Sequence, residues 1–202
     1  PLHNETGPNT VPSAPKIRSP SPPRIMIPTI LLLIAAFLGL LILIIALRPA
    51  EFRIVRSATV SASPSEVFAQ FNDLHRWELW SPWAKLDPAM RQTYEGPPTG
   101  PGSLYAWTGN REVGEGRMTI TESRPSERIR IRLEFLKPFK ATNEVEFTFQ
   151  PAGAGTVVSW IMTGRNNFAA KAAHLVMNID KKVGGDFEKG LAAMKAAAEA
   201  AP

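Results

Sequence analysis

The sequence predicts an α+β protein in which one long C-terminal helix covers a curved antiparallel sheet of about seven strands, with one apolar helix near the N-terminus. Two observations support this fold class. From residue 52 the pattern runs through one strand, two short helices and six consecutive segments that alternate with period two. From residue 168 the period becomes helical. A helix and a sheet packed together bury the apolar side of each.

Composition narrows the functional classes. The chain has 202 residues and no cysteine, so disulfides, thiolate catalysis and cysteine-ligated metals are excluded. Its three histidines are far apart in sequence, and we expect neither a metal site nor any other cofactor. The net charge is +5, but from Glu51 onward 19 basic residues balance 17 acidic ones. This near balance argues against nucleic acid as a partner.

Two segments precede the predicted domain. Residues 1–24 hold seven prolines and few apolar groups, and we expect a disordered tail. Residues 25–47 carry no charge, and as a helix they would span about 35 Å, enough to cross a membrane once. The alternative is a cleaved signal peptide, which the long apolar run disfavours. Flanking charges are tied, so only the short N-terminal tail favours a periplasmic, extracytoplasmic domain.

The domain is predicted to begin with an alternating strand over residues 52–62, followed at once by a helix. Ser63 is the expected N-cap and Pro64 the first helical residue. Glu66, three residues after Ser63, completes a capping box. This pattern predicts the start of the helix from local chemistry alone.

The rest of the domain is predicted as an antiparallel meander and one long helix. Turns rich in glycine and proline separate the six strands. The helix covers residues 168–200, and Gly184-Gly185 is expected to kink or split it. The predicted strands cover residues 90–96, 103–109, 116–122, 128–135, 139–150 and 156–164.

Three of the five tryptophans recur at every third position in the stretch HRWELWSPW. This spacing places them on roughly one side of a short helix at the open end of the sheet. Core packing, the wall of a binding site and a membrane-interface belt are the three interpretations. Trp77 continues the stripe of Phe71 and Leu74 and is the expected core member. Trp80 and Trp83 are expected to edge a cavity.

The motifs DLHRWELWSPWAKLDPAM, VGEGRMTITES and GGDFEKGLAAMK are similar to a known family. Residues 51–202 resemble the START-like helix-grip (SRPBCC) superfamily, and within it the bacterial branch of polyketide cyclase/dehydrase and lipid transport proteins. The resemblance implies a sheet wrapped on the long helix around a ligand cavity. It also implies an N-terminal membrane anchor, which members of the branch often carry. It offers no agreed catalytic motif, so no catalytic residue is assigned.

Strand alternation predicts which side chains line that cavity. In residues 128–135 the apolar side chains point inward, and the three arginines point to water. In the next strand Phe139 to Phe149 alternate inward, with Asn143 as a polar group on an apolar face. The candidate ligand-binding residues are Trp80, Trp83, Tyr94, Tyr105, Trp107, Met118, Asn143, Trp160 and Met162.

Three functions fit these observations. The first is a membrane-anchored domain that binds or carries a hydrophobic small molecule or lipid. The second is an enzyme of cyclase, dehydrase or hydrolase type that uses polar cavity residues such as His75, Tyr94, Tyr105 or Asn143. The third is a structural module whose interior is filled by its own side chains. The ligand, any reaction and the oligomeric state are not predicted.

One register can also be predicted. The short turn at Leu136–Pro138 suggests that Phe135 sits opposite Phe139. Counting outward, Arg130 then faces Glu144, and Arg128 faces Glu146 on the water side. Opposite charges in these pairs would explain the row of arginines without any ligand.

Overall fold

The computed structural model of the protein describes residues 26–200, with only the backbone at Val176. The predicted disordered tail, residues 1–24, lies outside them. The predicted apolar helix forms as α1 (Met26–Leu47). Its hydropathy averages 3.4 over 18 residues, and its apolar side chains are almost all exposed. α1 is therefore a candidate membrane span, and a signal sequence passes the same test.

The remainder of the chain has the predicted α+β architecture. The seven strands found in residues 26–200 pair antiparallel in the order β1-β7-β6-β5-β4-β3-β2. The meander therefore runs from β2 to β7, and β1 closes the row beside β7. The strands are β1 (Glu51–Val60), β2 (Arg91–Glu95), β3 (Leu104–Thr108), β4 (Glu115–Arg124), β5 (Arg128–Lys137), β6 (Ala141–Ala152) and β7 (Gly155–Arg165).

Two short helices follow β1, as predicted. α2 (Pro64–Asn72) begins with a complete capping box, in which the Ser63 side chain accepts from the Glu66 backbone N–H and the Glu66 carboxylate accepts from the Ser63 backbone N–H. A 3₁₀ turn at Leu74–Arg76 leads into α3 (Trp77–Trp80). The local sequence therefore fixes where this segment turns back across the sheet.

The C-terminal helical segment is split, but not at the predicted position. α4 (Phe168–Val176) and α5 (Ile179–Glu199) are separated at Met177 and Asn178. The split falls there because Asn178 caps a new helix, its side chain accepting from the backbone N–H of Lys181 at 2.9 Å. The glycine pair Gly184-Gly185, predicted to kink or split the helix, lies within α5.

Gly184 instead lets α5 approach β1. A Cβ at this position would overlap the guanidinium of Arg56. Arg56 forms ion pairs with Asp180 at 3.0 Å and Glu188 at 2.6 Å, one on each side of the glycine along α5. Gly184 therefore leaves space for the Arg56 side chain, whose ion pairs hold α5 against β1.

The core lies between the sheet and the helices and is rich in aromatic rings. Trp77 and Trp80 are both buried, and their indole N–H groups donate to backbone carbonyls of α2. The expectation that Trp77 is a core residue is therefore confirmed. A membrane-interface role is wrong for both of these tryptophans, because neither ring reaches the surface.

The predicted register of β5 and β6 is wrong by two residues. Arg130 faces Glu146 rather than Glu144, and Phe135 faces Ala141 rather than Phe139. The turn is wider than predicted because β5 continues to Lys137 along β4, where Lys137 pairs with Glu115, and leaves β6 two residues earlier. A shift of two residues keeps each side chain on its own face, so the apolar pattern does not resist it.

Two consequences follow from this shift. Phe139, predicted to point inward, is 78% exposed in the connection between the strands. Two of the three arginines of β5 still form ion pairs, though with different partners. Arg130 bonds Glu146 at 2.8 Å, and Arg128 bonds Glu122 of β4 at 2.7 Å. The prediction that this face is solvated and that its arginines mostly pair with glutamates therefore fits the structure, although the pairs differ from those predicted.

Candidate functional site

The concave face of the sheet has two parts. Its central part lies under α2, α3 and α5. Its other part lies toward the proximal end of the sheet, which we define as the end where β1 begins. Near this end one residue from each strand forms a continuous line across the sheet, here called the proximal row. The proximal row consists of Tyr94, Tyr105, Met118, Leu133, Asn143, Gly164 and Phe52.

Aromatic and polar groups meet at the β2 end of the proximal row. The Tyr94 ring lies 5.2 Å from Tyr105 and stacks on His75, with centroids 3.9 Å apart. The Tyr94 hydroxyl lies 3.1 Å from both the Glu78 carboxylate and the Gln92 side-chain oxygen. A hydroxyl has one proton to donate, and the charged acceptor gives the stronger bond. α3 therefore supplies the acid that orients Tyr94.

Both tyrosines remain protonated over the physiological range. Burial, and next the charge of Glu78, raises the pKa of Tyr94 well above its usual value. The same two causes raise the pKa of Tyr105 to about 12. The phenols therefore act as hydrogen-bond donors on this face and not as bases.

His75 has its own acidic partner. Its Nδ1 lies 3.2 Å from Asp73 Oδ1, and Asp73 also accepts from the His75 backbone N–H at 3.0 Å. If Nδ1 carries the proton toward Asp73, Nε2 is left as an acceptor. The side chain is more than half exposed, so this nitrogen is open to solvent or a ligand.

Trp107 lies two residues after Tyr105 on the same face of β3 and extends the aromatic surface. Its ring lies 5.7 Å from Tyr105 in a stacked arrangement, and its indole N–H donates to the Val113 carbonyl at 3.0 Å. The ring lies over Gly116, where a Cβ would overlap it. The glycine of β4 therefore provides the space for this tryptophan.

Asn143 is the polar residue of the proximal row and is 8% exposed. Its side-chain oxygen lies where a Cβ at Gly164 would stand, and its nitrogen lies 4.0 Å from the Met162 sulfur. A thioether is a weak acceptor, so the amide keeps unused hydrogen-bonding capacity. Asn143 therefore remains a candidate contact for a polar group on the concave face.

The central part of the concave face is filled by side chains. Trp160 stacks on Phe187 at 4.1 Å, and Trp80 and Trp83 meet its ring edge-on at 5.9 Å. Rings at these separations are in contact, so among the described residues side chains occupy the centre of the predicted cavity. The Trp160 indole N–H is buried without an acceptor in residues 26–200.

The nine predicted ligand-binding residues therefore fall into two groups. The structure brings Tyr94, Tyr105 and Trp107 together as one aromatic surface, and strand pairing joins Met118 to it. Asn143 lies further along the same row. Trp80, Trp160 and Met162 belong to the core, where a ligand would reach them only after side chains move, and Trp83 packs against the core but is partly exposed.

Two open hollows lie on the domain outside the tyrosines of the proximal row. One, of about 490 Å³, is lined by Arg48 and by residues around the junction of α4 and α5. The other, of about 230 Å³, lies at strands β2 to β4 and includes Trp107 and Leu136. Neither hollow includes Tyr94, Tyr105 or Asn143.

Sequence analysis missed three polar residues around Tyr94. Glu78 lies between the tryptophans of HRWELWSPW, where the aromatic spacing dominates the pattern. Gln92 shares a face with Tyr94 by simple alternation, and this signal was available. Asp73 caps the 3₁₀ turn, and its role as the partner of His75 follows only from that turn.

Comparison with known proteins identifies the family and supports the fold. Residues 51–199 match the model of the family described as polyketide cyclase / dehydrase and lipid transport. The chain belongs to this family. The match covers the whole sheet and both C-terminal helices, and it supports the resemblance drawn from the motifs. A search of curated proteins finds no match.

Solved structures related to this family member share its fold at low identity. The protein CV1439 from Chromobacterium violaceum is 17% identical with a TM-score of 0.53, and the match covers 76% of this chain and all of that one. TTHA0849 from Thermus thermophilus is 16% identical with a TM-score of 0.54, covering 73% and 97%. The Aha1 protein from Colwellia psychrerythraea is 14% identical with a TM-score of 0.53, covering 74% and 97%. These likenesses support the helix-grip fold alone.

Proposed function

We propose that this protein is a membrane-anchored domain that binds or carries a hydrophobic small molecule or lipid on the proximal part of its concave face. The observation that carries the proposal is the proximal row. Tyr94, Tyr105, Met118 and Leu133 are all partly exposed there, whereas the adjoining core is closed. The family's description, which includes lipid transport, agrees with such a ligand.

The polar groups around the row indicate the kind of ligand. Tyr105 presents a donor, since the Tyr94 proton is donated to Glu78, while Glu78 and Asp73 bring negative charge to the same end. An anionic headgroup would be repelled by these carboxylates. The row therefore suits an apolar body that ends in a neutral acceptor, such as a hydroxyl, ether or carbonyl oxygen of a lipid or isoprenoid.

Native mass spectrometry of the full chain, purified gently in detergent or nanodiscs, tests this proposal. We expect the parent protein to retain a lipid-sized molecule. Leu133→Gln places an amide in the middle of the row and should lose most of that occupancy. Arg132→Gln is the matched control, because it changes the neighbouring residue of β5 on the opposite face. Equal occupancy in parent and Leu133→Gln would refute the site.

A second candidate function is an enzyme of cyclase, dehydrase or hydrolase type on the same face. The pairing of Asp73 with His75 beside the Tyr94 ring favours it, because an oriented imidazole and a protonated phenol can serve as base and acid. His75→Gln should then abolish conversion of the retained molecule while leaving its binding intact. A retained molecule whose mass and fragmentation pattern both stay unchanged on incubation contradicts the enzyme, because ring closure alone conserves mass.

We further propose that α1 anchors the chain and that the domain lies on the extracytoplasmic side. The length and hydropathy of α1 support the anchor, and the side of the membrane is open to direct measurement. The absence of cysteine allows a direct test with Ala154→Cys in the exposed turn between β6 and β7. A membrane-impermeant maleimide should label it in intact bacterial cells. Labelling only after lysis would contradict this side of the membrane.

A further inference from the structure

Exposed large apolar side chains are unevenly distributed over the described residues. Apart from those on α1, six are exposed, and five of them lie toward the proximal end of the sheet. The sixth, Leu79, lies on α3. The five are Leu86, Leu136, Phe139, Phe168 and Met177.

Their positions follow from the strand directions. Leu136 and Phe139 belong to the end of β5 and its connection to β6, and Phe168 opens α4 three residues after β7 ends. Leu86 precedes β2, beside Asp87, whose carboxylate accepts from the Asn110 backbone N–H in the β3–β4 connection. All these connections lie at the end where β1 begins. Met177 lies in the same hollow as Arg48, three residues before β1.

Basic side chains lie at the same end of the domain as these apolar groups. Arg48, Lys140 and Arg165 are exposed at the same end, and none forms an ion pair with a residue of 26–200. Lys171 of α4 donates to the Ala46 carbonyl at 3.2 Å, close to the end of α1. Exposed apolar residues among unpaired cations are typical of surfaces that lie on anionic lipid headgroups.

The connection to α1 keeps this end close to wherever α1 ends. Leu47 closes α1 and Glu51 opens β1, so only Arg48, Pro49 and Ala50 lie between them. Four Cα steps reach about 14 Å at most. If α1 spans a bilayer, the start of β1 therefore lies within the headgroup region or just above it.

We propose that the proximal end of the domain is a membrane-docking surface for anionic phospholipid bilayers. Phe139, Leu136 and Phe168 enter the boundary between headgroups and acyl chains, while Lys140 and Arg165 contact lipid phosphates. This inference rests on the proposed anchoring by α1. It also deepens the proposed function, because the proximal row and the docking surface lie toward the same end of the sheet. Docking would then hold the row close to the bilayer that supplies its lipid.

Single cysteines introduced into the cysteine-free full chain test the proposal. Each variant carries an environment-sensitive fluorophore and is reconstituted into phosphatidylcholine–phosphatidylglycerol vesicles with lipids that bear spin labels at shallow or deep positions. Phe139→Cys probes the docking surface, and Ala36→Cys probes the middle of α1. Ala154→Cys, at the opposite end of the sheet, is the matched control.

We expect the label at position 139 to be quenched by shallow spin labels, the label at 36 by deep ones, and the label at 154 by neither. Quenching at 36 with equally weak quenching at 139 and 154 would overturn the docking surface and leave the anchor in place. Absence of quenching at 36 would overturn the anchor itself, and with it the premise of the inference. The two failures are therefore distinguishable.

Charge substitutions provide an independent test. One basic residue near an anionic surface strengthens attraction on the order of fivefold, so Lys140→Gln with Arg165→Gln should lower the docked-to-undocked ratio about 25-fold. Lys195→Gln, at the opposite end of the domain, should leave quenching at position 139 unchanged. Similar quenching in the double variant and the control would refute the role of these cations.

Discussion

The two parts of the concave face are built from the same residue types and behave differently. Around Trp160 and Phe187 the rings stack on one another, and the Trp160 indole N–H is buried with no acceptor in the described part of the chain. Around Tyr94 and Tyr105 the rings are partly exposed and carry polar partners. Helices cover the first part, whereas the second is left partly exposed, with the His75 ring and the Glu78 carboxylate in contact with Tyr94. The comparison shows that aromatic content alone does not identify a binding surface, because the covering elements decide it.

The largest expected difference between the two parts is in stability. Trp160→Ala should lower the free energy of unfolding by about 3–5 kcal/mol, because it leaves a cavity within close-packed rings. Tyr105→Ala should cost about 1–2 kcal/mol, since its site is already open on one side. Chemical denaturation of both variants against the parent provides the measurement. Equal costs would mean that the proximal row is core as well.

The next difference concerns proton binding. The chain contains only two tyrosines, so phenolate absorbance reports Tyr94 and Tyr105 alone. Because burial raises both pKa values, the folded chain holds these protons more tightly than the unfolded chain. The stability linked to them is fully present below about pH 10, the unfolded value, and is lost as the pH rises through about 12.

Alkaline titration of the folded protein should therefore show phenolate appearing only near or above pH 12, while the urea-unfolded chain titrates near the ordinary value of about 10. Stability should fall over the interval between them. Coincident titration curves for folded and unfolded protein would show that the proximal tyrosines are fully solvated. The proximal row would then be ordinary protein surface and not a partly buried binding site.

The strands and the first helix were predictable, and the site only in part. Alternation depends on which face is apolar, and the Ser63 capping box depends on neighbours in sequence, so both can be predicted locally. The β5–β6 register depended on the length of the connection after Leu136. The predicted and observed registers place each side chain on the same face, so the apolar pattern does not distinguish them. Whether Trp80 is core or wall depends on what α5 covers, which no local pattern contains. The contact between Glu78 and Tyr94 likewise depends on how α3 packs against the sheet, which no local pattern contains.

A smaller effect is expected from the acid beside Tyr94. Glu78→Gln removes a negative charge that opposes ionisation, so the pKa of Tyr94 should fall toward its ordinary value while burial keeps it raised. The measurement is simplest with Tyr105→Phe present, because one phenol then remains. Glu95→Gln, beside Tyr94 in sequence but on the opposite face, is the control. A larger change in the control would place the wrong carboxylate at the site.

The smallest perturbation tests which residues share the proximal row. In the structure Arg130 faces Glu146, and Leu133 therefore faces Asn143. Directly opposite Cβ atoms are about 4.5–5.5 Å apart, near the Cβ separation of a disulfide, while diagonal neighbours are about 7–8 Å apart. Mild oxidation of Arg130→Cys with Glu146→Cys should therefore cross-link β5 to β6.

The pair Arg130→Cys with Glu144→Cys is the matched control, because it cross-links only in the register predicted from the sequence. Both pairs lie on the solvated face, so neither should disturb the core. Faster cross-linking between positions 130 and 144 would move Leu133 opposite Ala141. Asn143 would then lie opposite Ile131, further from Leu133 and the tyrosines. The proximal row would no longer contain its polar residue, and the site as described would be wrong.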